Sequence, residues 1–451
     1  MRRSRQSCGG LLGLVLVAAG NHAVAQPGTD QFAADRSIAV PAAELVAPVQ
    51  ALKPAPTYTL ADLVQLGLDR NPRQAQVALA IDAARGRALQ AGLYPNPTVS
   101  ATFDELGDRQ GRGGTNTVPL LSQEIVTGGK LTLSRAVAER DVDQATLSLA
   151  ARRAELLASI RSAYYDVLTL QRRVEILGQL RVLTEQSVGH TRRLAEAKQA
   201  TRLDVVQLEV QAEQVRADAE AAERELPGAF RRLAAVAGDR DLAQAPLAGT
   251  LEDPLPDYEL DRLRQFILGI HPEVRSATIG IERARLAALR AQAEVVPNVT
   301  VSGGYVRQNQ NRSNDFTVGV SLPIPVWNRN QGNILAAQAH LGEATKEVTR
   351  VENDLTERIA TAHRDYAAAR RRAERLVEVR TKAEEAFRLI AEEKNFNFTT
   401  VQRLVAQQAV TQATLEQVKA LGDAWRAASV LSGLTLEEQW PPVADPRSKK
   451  P

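Results

Sequence analysis

The sequence is almost without sulfur, since it contains one cysteine, Cys8, and one methionine, Met1. Cys8 lies just before an apolar run at residues 11–19; three arginines precede that run, and the small residues of Ala23-Val24-Ala25 follow it. This order is typical of a secretory signal peptide, so we predict cleavage after residue 25. Cys8 would be removed with the peptide and does not stand at the cleavage site. We therefore expect neither a disulfide nor a lipid anchor.

Net charge is also low. The chain has a formal charge of +3, and residues 1–25 contribute three arginines and no acidic residue. The mature chain would be neutral. We therefore expect no nucleic-acid partner, because binding to a phosphate backbone depends on an excess of basic residues.

Long apolar runs are missing after residue 25. No window approaches the roughly 18 apolar residues of a membrane helix, so we expect any membrane-spanning part of the mature chain to consist of strands.

Metal-ligand and catalytic motifs are missing as well. After residue 25 there is no cysteine or methionine, and no two histidines lie within four positions of each other; they are His190, His271, His340 and His363. This spacing forms no recognisable ligand cluster, so we predict no metal site and no cofactor. The sequence shows no phosphate-binding glycine loop, nucleophile elbow or acid–base pair, which argues against an enzyme.

An internal duplication organises the rest of the chain. A shift of 200 positions aligns eleven identical residues: Leu60, Leu63, Gln65, Leu68, Pro72, Ile81, Ala84, Arg85, Ala88, Leu89 and Ala91 recur at Leu260, Leu263, Gln265, Leu268, Pro272, Ile281, Ala284, Arg285, Ala288, Leu289 and Ala291. The shift then becomes 202, which aligns Thr98-Val99-Ser100 with Thr300-Val301-Ser302. This period is too long for a solenoid repeat, so we interpret the chain as two large homologous halves.

The halves are predicted at residues 58–238 and 259–436, with a connector at 239–258. We expect an irregular leader at residues 26–57 and a disordered tail at residues 437–451, because neither segment shows a regular apolar pattern.

Each half begins with a helical pattern and continues into a strand pattern. Apolar spacings of three and four predict a helix from Leu60 to about Leu93, interrupted at Asn71-Pro72, and His271-Pro272 repeats the interruption. Alternation with a period of two then predicts β-hairpins at about residues 97–126 and 298–326. Their strands of about 9 to 12 residues match the length of a tilted transmembrane strand.

Two long helices follow the hairpins. The first seam of apolar residues predicts a helix from Lys130 to about His190, and its members are Leu156, Ile160, Ala163, Val167, Leu170, Val174 and Leu177. The second seam runs through Val348, Val351, Leu355, Ile359, Ala362, Tyr366, Ala369, Ala373 and Leu376. We predict irregular tips at about residues 195–202 and 394–400, each followed by a returning helix. Pro227-Gly228 is expected to break the first returning helix, which would resume and end at Gly238.

Four strands per chain cannot close on themselves, because the smallest membrane barrels have about eight strands and an open edge is unstable in lipid. The chain must contribute strands to an oligomer. A dimer would supply eight strands and a trimer twelve, and the count alone does not choose between them.

The order of elements resembles the TolC-type outer-membrane efflux factors over residues 58–436. Residues 322–332, Leu-Pro-Ile-Pro-Val-Trp-Asn-Arg-Asn-Gln-Gly, are similar to the strand-to-helix signature of that family, and residues 203–207, Leu-Asp-Val-Val-Gln, are similar to its first tip. The resemblance implies a mainly α protein with membrane β structure: a long α-helical coiled-coil barrel joined to a twelve-strand outer-membrane β-barrel that a homotrimer shares, with four strands per chain and two internal repeats.

The same resemblance implies the location and the partners. It places the strands in outer-membrane lipid and the helical tunnel in the periplasm, with the tips docked to a periplasmic adaptor (membrane fusion) protein and an inner-membrane RND pump. Residues 394–399, Lys-Asn-Phe-Asn-Phe-Thr, and residues 328–332 are most similar to the cobalt-zinc-cadmium branch of the family.

The resemblance also suggests site residues. Asp204 lies where the family has an acid that narrows the periplasmic mouth, although a solvated acid in the first helical turn is an equal alternative. Gln402 and Val405 stand at the acidic positions of the second half, so a gate here would carry less charge. The expected adaptor-contacting tip residues are Ala197, Thr201, Leu203, Phe396, Asn397 and Phe398, although at least one phenylalanine could instead pack inside its helical hairpin. Tyr94 and Trp327 are candidate membrane-interface anchors, with buried packing as the alternative.

We therefore predict a passive outer-membrane exit duct for divalent heavy-metal cations. One alternative is a duct of the same fold for drugs or organic solutes. The other is a soluble periplasmic coiled-coil adaptor or structural protein, which would carry a single helical hairpin in place of two duplicated halves.

Overall fold

The computed structural model describes residues 57–104, 114–392 and 400–441. Each half begins with two helices that meet at a proline. In the first half these are α1 (Leu60–Arg70) and α2 (Pro72–Ala91), and Asn71 between them accepts a hydrogen bond from the Arg73 N–H at 2.9 Å. Asn71 thus caps α2, and the proline occupies the first helical position, where a missing N–H costs least. The predicted interruption is confirmed.

The strands form one antiparallel sheet in the order β1-β2-β3-β4. They are β1 (Thr98–Asp104), β2 (Thr115–Ile125), β3 (Val299–Gln308) and β4 (Ser313–Ser321). Pairing of β2 with β3 joins the two halves of the chain, for example at Ser122 and Ser302. The sequence predicts a polar loop at residues 309–315 of the second hairpin, but the loop is shorter, because residues 313–315 continue the ladder with β3.

Four long helices make up more than half of the described residues. They are α3 (Lys130–Glu196) and α4 (Arg202–Val236) in the first half, and α7 (Gln331–Glu392) and α8 (Thr400–Leu434) in the second. The helices α5 (Leu260–Ile270) and α6 (Pro272–Ala293) repeat α1 and α2. Within the described residues, no helix is both long enough and apolar enough to cross a membrane.

The expected break at Pro227 is wrong, because α4 continues through it. A proline inside a helix removes one hydrogen bond and costs about 3 kcal/mol. Ala222 and Phe230 are buried on either side of the proline. Burial of this face against α3 outweighs the penalty, which a local sequence rule does not include.

The predicted seams are buried along the helices. Leu156, Ile160, Val167 and Leu177 are buried in α3, and Leu355, Ile359, Ala362, Tyr366 and Ala373 are buried in α7. Tyr165 stacks on Trp425 of α8 with ring centroids 4.8 Å apart, and Trp440 meets Trp425 edge to face at 6.0 Å. Disorder was expected from residue 437, and this is wrong for residues 437–441, because Trp440 packs against the cores of both halves.

The end of α4 is fixed against the junction between α1 and α2. The Asn71 amide donates to the Val236 carbonyl at 2.7 Å. Ala237 is the cap residue of α4, and Gly238 follows it with φ +81°. A Cβ at Gly238 would lie 2.7 Å from the Asn71 Cα, so only glycine fits this close approach.

Candidate functional site

The first helical tip is a tight turn between α3 and α4. The Lys198 N–H donates to the Ala195 carbonyl at 3.0 Å, and the Gln199 N–H donates to the Leu194 carbonyl at 2.8 Å. These two bonds form a Schellman motif, which usually has glycine after the cap residue. Here Lys198 adopts the left-handed conformation with φ +57°. The tip therefore closes without a glycine, at a cost of about 1 to 2 kcal/mol.

Asp204 and Thr201 form a capping box at the start of α4. The Asp204 carboxylate accepts from the Thr201 N–H at 2.9 Å and from its hydroxyl at 2.7 Å, while the Asp204 N–H donates to the Thr201 hydroxyl at 3.2 Å. Hydrogen bonds from the Thr201 side chain and backbone lower the pKa of Asp204. The carboxylate is thus negatively charged at neutral pH, and its local role is to cap the helix.

The tip has an exposed apolar stripe. Leu203, Val206 and Val210 are exposed and lie three and four positions apart, which places them on one side of α4. Ala197 and Thr201, two of the predicted contact residues, are exposed in the turn that precedes this stripe in the chain. Sequence reasoning missed Val206 and Val210, although their spacing with Leu203 was visible.

The second tip is described only in part. The predicted contact residues Phe396, Asn397 and Phe398 lie outside the described residues. Gln402 is exposed in the first turn of α8, and Val405 is exposed one turn later.

One face of the sheet is apolar and largely exposed. Residues directly opposite one another in neighbouring strands point to the same face of the sheet. One such row crosses all four strands and consists of Val99, Leu121, Gly303 and Val318. Phe316 is 85% exposed and Val318 is 79% exposed. The opposite face carries small polar residues, among them Ser100, Ser122, Ser302 and Ser321. One side of the sheet is therefore suited to lipid and the other to water.

The two candidate interface anchors flank the same end of the sheet. Tyr94 precedes β1 and is 66% exposed, and Trp327 follows β4 and is 87% exposed. Neither side chain packs into the core of the chain. Within one copy, the two residues therefore do not have the buried packing role that was the alternative to membrane-interface anchors.

A buried polar network lies where the strands meet the helices. Lys130 is 2% exposed, and its ammonium donates to the Asn298 side-chain oxygen at 2.6 Å. The Asn298 amide in turn donates to the Glu124 carboxylate at 2.6 Å, and the Thr127 hydroxyl donates to the Pro297 carbonyl at 2.6 Å. This network ties β2 and α3 of the first half to the start of β3 in the second. The pair Pro297-Asn298 repeats Pro95-Asn96 of the first half and was the signal in the sequence, but the partner lysine could not be identified from it.

The second half contains a histidine where the first has Asn71. His271 is 3% exposed and caps α6, because its Nδ1 accepts from the Glu273 N–H at 3.3 Å. It lines a cavity of about 860 Å³ together with Glu155, Glu273 and Arg358. Burial lowers the pKa of His271, and the Arg358 guanidinium acts in the same direction, while the nearby carboxylates oppose the shift. The ring is therefore neutral at pH 7.

The described residues contain no group of three or more histidine, cysteine, aspartate or glutamate side chains placed to hold a metal ion. The carboxylates around the cavity at His271 therefore do not form such a group.

Known proteins share this architecture. The chain is 27% identical to the cobalt-zinc-cadmium resistance protein CzcC of Cupriavidus metallidurans over 85% of this chain and 91% of the relative. It is 23% identical to the nickel-cobalt-cadmium resistance protein NccC of Alcaligenes xylosoxydans xylosoxydans over 68% of this chain and 70% of the relative. Among solved structures, the outer membrane protein VceC of Vibrio cholerae superposes with a TM-score of 0.68 at 19% identity, covering 83% of this chain and 96% of that one.

The family comparison matches the two halves separately. The model of the outer membrane efflux protein family matches residues 63–239 and again residues 263–435. These two matches cover the duplicated halves and together most of the chain. The chain belongs to the outer membrane efflux protein family, and its place is the outer membrane.

Proposed function

We propose that this protein is the passive exit duct of a tripartite efflux system and that it works as a homotrimer. The sheet supports this most directly, because it has one apolar face, one polar face and two open edges at β1 and β4. Open edges are unstable in lipid, where unpaired backbone groups find no water. Three copies would supply twelve strands, enough for a closed ring around a water-filled passage.

The helical end supports docking to other proteins. The exposed stripe of Leu203, Val206 and Val210, with Ala197 and Thr201 in the turn that precedes it, is a small apolar surface at the end of a long helical hairpin. We propose that a periplasmic adaptor protein binds here and that an inner-membrane RND pump supplies the driving force. Phe396, Asn397 and Phe398 are proposed as further adaptor contacts from the sequence alone.

The proposed substrates are divalent heavy-metal cations. The two metal-resistance relatives support this proposal by their names, and the Asn-Arg-Asn-Gln-Gly element of residues 328–332 supports it from the sequence. The described residues offer no chelating group, so the cation would pass hydrated and the pump would determine selectivity.

The periplasmic mouth would carry a ring of three Asp204 carboxylates, one from each copy. Such a ring attracts cations and raises the barrier to anions. Gln402 stands at the corresponding position of the second half, so the ring would hold three charges where a doubled acidic gate would hold six.

Metal tolerance of a gene deletion tests this function. Growth limits for cobalt, zinc, cadmium and nickel would be measured in the native host, beside a panel of drugs, with and without a plasmid copy of the gene. We expect the deletion to lose tolerance to divalent metals and the plasmid to restore it. Lost tolerance to drugs with unchanged metal limits would leave the duct in place and contradict the metal assignment.

A further inference from the structure

The sheet ends at two strands that each have one unpaired edge. β1 pairs only with β2, and β4 pairs only with β3, within the part of the chain that the structure describes. The central pair, β2 with β3, is different in kind because it joins the second strand of the first hairpin to the first strand of the second hairpin. In a ring of several copies, a contact between β4 and the next β1 would also join the second strand of one hairpin to the first strand of another.

The duplication allows residues to be matched between the repeats. Thr98-Val99-Ser100 of β1 corresponds to Thr300-Val301-Ser302 of β3, a shift of 202. The hairpin registers then match β2 to β4, since Thr98 is opposite Ser122 and Thr300 is opposite Ser321. This shift of 199 also aligns Ile125 with Ile324, so sequence and register agree.

Applying these two shifts to the residue pairs of β2 and β3 gives the pairs expected between β4 and the β1 of another copy. Ser122 is opposite Ser302 in the central pair. Ser122 corresponds to Ser321, and Ser302 corresponds to Ser100. We propose that β4 of one copy pairs antiparallel with β1 of the next copy, in the register that places Ser321 opposite Ser100. This inference rests on the proposed trimer and adds to it a specific interface between copies.

The register keeps the two faces of the sheet continuous across the interface. It places Val320 opposite Ala101 and Leu322 opposite Val99, so the exposed apolar face extends from one copy to the next. The two serines lie on the polar face. A slip of one residue would place apolar side chains opposite polar ones, because successive residues in a strand point to opposite faces.

The bulge in β2 does not affect this transfer. The pairing of β2 with β3 shifts between Thr117 and Leu120, and the pairs from Leu120 to Ile125 follow one constant register. Ser122 and Ser302 lie inside this regular part. The pairing of β3 with β4 has no shift, so β4 presents a regular edge.

Cysteine pairs distinguish this register from its neighbours. The natural Cys8 is the only cysteine, so a Cys8→Ser background gives a protein in which every disulfide is introduced. Directly opposed residues lie about 4.5 to 5.5 Å apart between Cα atoms, whereas diagonal neighbours lie about 7 to 8 Å apart, beyond the reach of a disulfide. Full-length Ser100→Cys/Ser321→Cys protein would be expressed in outer membranes, oxidised and analysed on non-reducing gels.

Two other pairs calibrate the reaction. Ser122→Cys/Ser302→Cys has the same serine geometry within one chain and should close an intrachain disulfide, seen as loss of thiol labelling. Ala101→Cys/Val320→Cys tests the neighbouring opposed pair, because narrow and wide pairs alternate along an antiparallel ladder and cross-link with different efficiency. The slip controls combine Ser100→Cys with Gly319→Cys or with Pro323→Cys.

We expect covalent trimers from at least one of the two opposed pairs, at ten or more times the yield of either slip control. A higher yield from a slip control would overturn the register. Absence of links between copies, in protein that is trimeric by native mass and forms the intrachain control disulfide, would overturn the pairing and leave the trimer standing. Monomeric protein by native mass would overturn the trimer and the pairing together.

Discussion

Lys198 and Gly238 occupy the same position in two copies of one helix-ending motif. Each residue follows the cap residue of its helix, with φ +57° at Lys198 and +81° at Gly238. The next N–H donates back to a carbonyl five residues earlier in both cases, from Gln199 to Leu194 and from Asp239 to Ala234. Only at Gly238 does the available space also require glycine, because a Cβ there would collide with Asn71. Glycine at position 198 should therefore raise stability, whereas loss of glycine at position 238 should lower it.

Lys198→Gly should stabilise the first tip by about 1 kcal/mol, because glycine adopts the left-handed conformation without steric cost. The local free energy of opening would be measured by hydrogen exchange at the amides of residues 198 and 199. Lys198→Ala is the control, since it removes the charge and keeps the strained conformation. Equal protection in both variants would contradict a strained tip.

Gly238→Ala should lower the stability of the whole chain by more than the roughly 1 to 2 kcal/mol of the left-handed conformation alone, because the new methyl group would collide with Asn71. The melting temperature of the purified protein measures this. Gly178→Ala in α3 is a matched control, since a Cβ there meets nothing within 4 Å and should stabilise the helix by up to about 1 kcal/mol. Similar melting temperatures for the two variants would contradict the role of the close approach.

Lys130→Met should destabilise the junction of strands and helices by about 1 to 3 kcal/mol, because Asn298 loses a buried charged donor. Resistance of the assembled protein to heat in detergent would be compared with that of wild type. Lys346→Met, on an exposed face of α7, is the control and should behave as wild type. A Lys130 variant with unchanged heat resistance would show that the network contributes little to the junction.

The pKa of His271 makes stability depend on pH in a defined direction. Burial lowers this pKa below the usual 6.5, so the unfolded chain binds the proton first as the pH falls. The contribution of His271 is complete above about pH 6.5 and is lost as the pH decreases toward the folded-state pKa. His271→Asn, which copies the first half, should lose less stability than wild type between pH 7.5 and pH 5. Parallel melting curves for the two proteins over this range would contradict a buried neutral histidine.

Asp204→Ala should reduce the preference of the channel for cations, because the proposed ring of carboxylates at the periplasmic mouth would be lost. Single-channel currents in planar bilayers with a salt gradient measure this preference. Asp62→Ala is a close control, since Thr59 and Asp62 form the same capping box at the start of α1 with the same three distances. An equal response to both substitutions would indicate that Asp204 only caps its helix.

The sequence predicted the fold because the same pattern of helices and strands, with the same periodicities, occurs once in each half. The interruptions at Pro72 and Pro272, both hairpins and the buried seams of the long helices all follow from local patterns. The errors arose where tertiary packing overrides local preference: α4 continues through Pro227 because its neighbours are buried, and Trp440 is fixed by rings of other helices. The partner of Asn298 could not be found from spacing, because Lys130 lies 168 positions away.

Metal retention in cells tests the central claim most directly. Deletion and complemented strains would be loaded with cobalt, zinc or cadmium and transferred to metal-free medium, and the cell-associated metal would be measured over time. An exit duct for divalent cations predicts that the deletion strain retains several times more metal and that the wild-type gene restores release. Equal retention in both strains, with the protein present in the outer-membrane fraction, would contradict the proposed function.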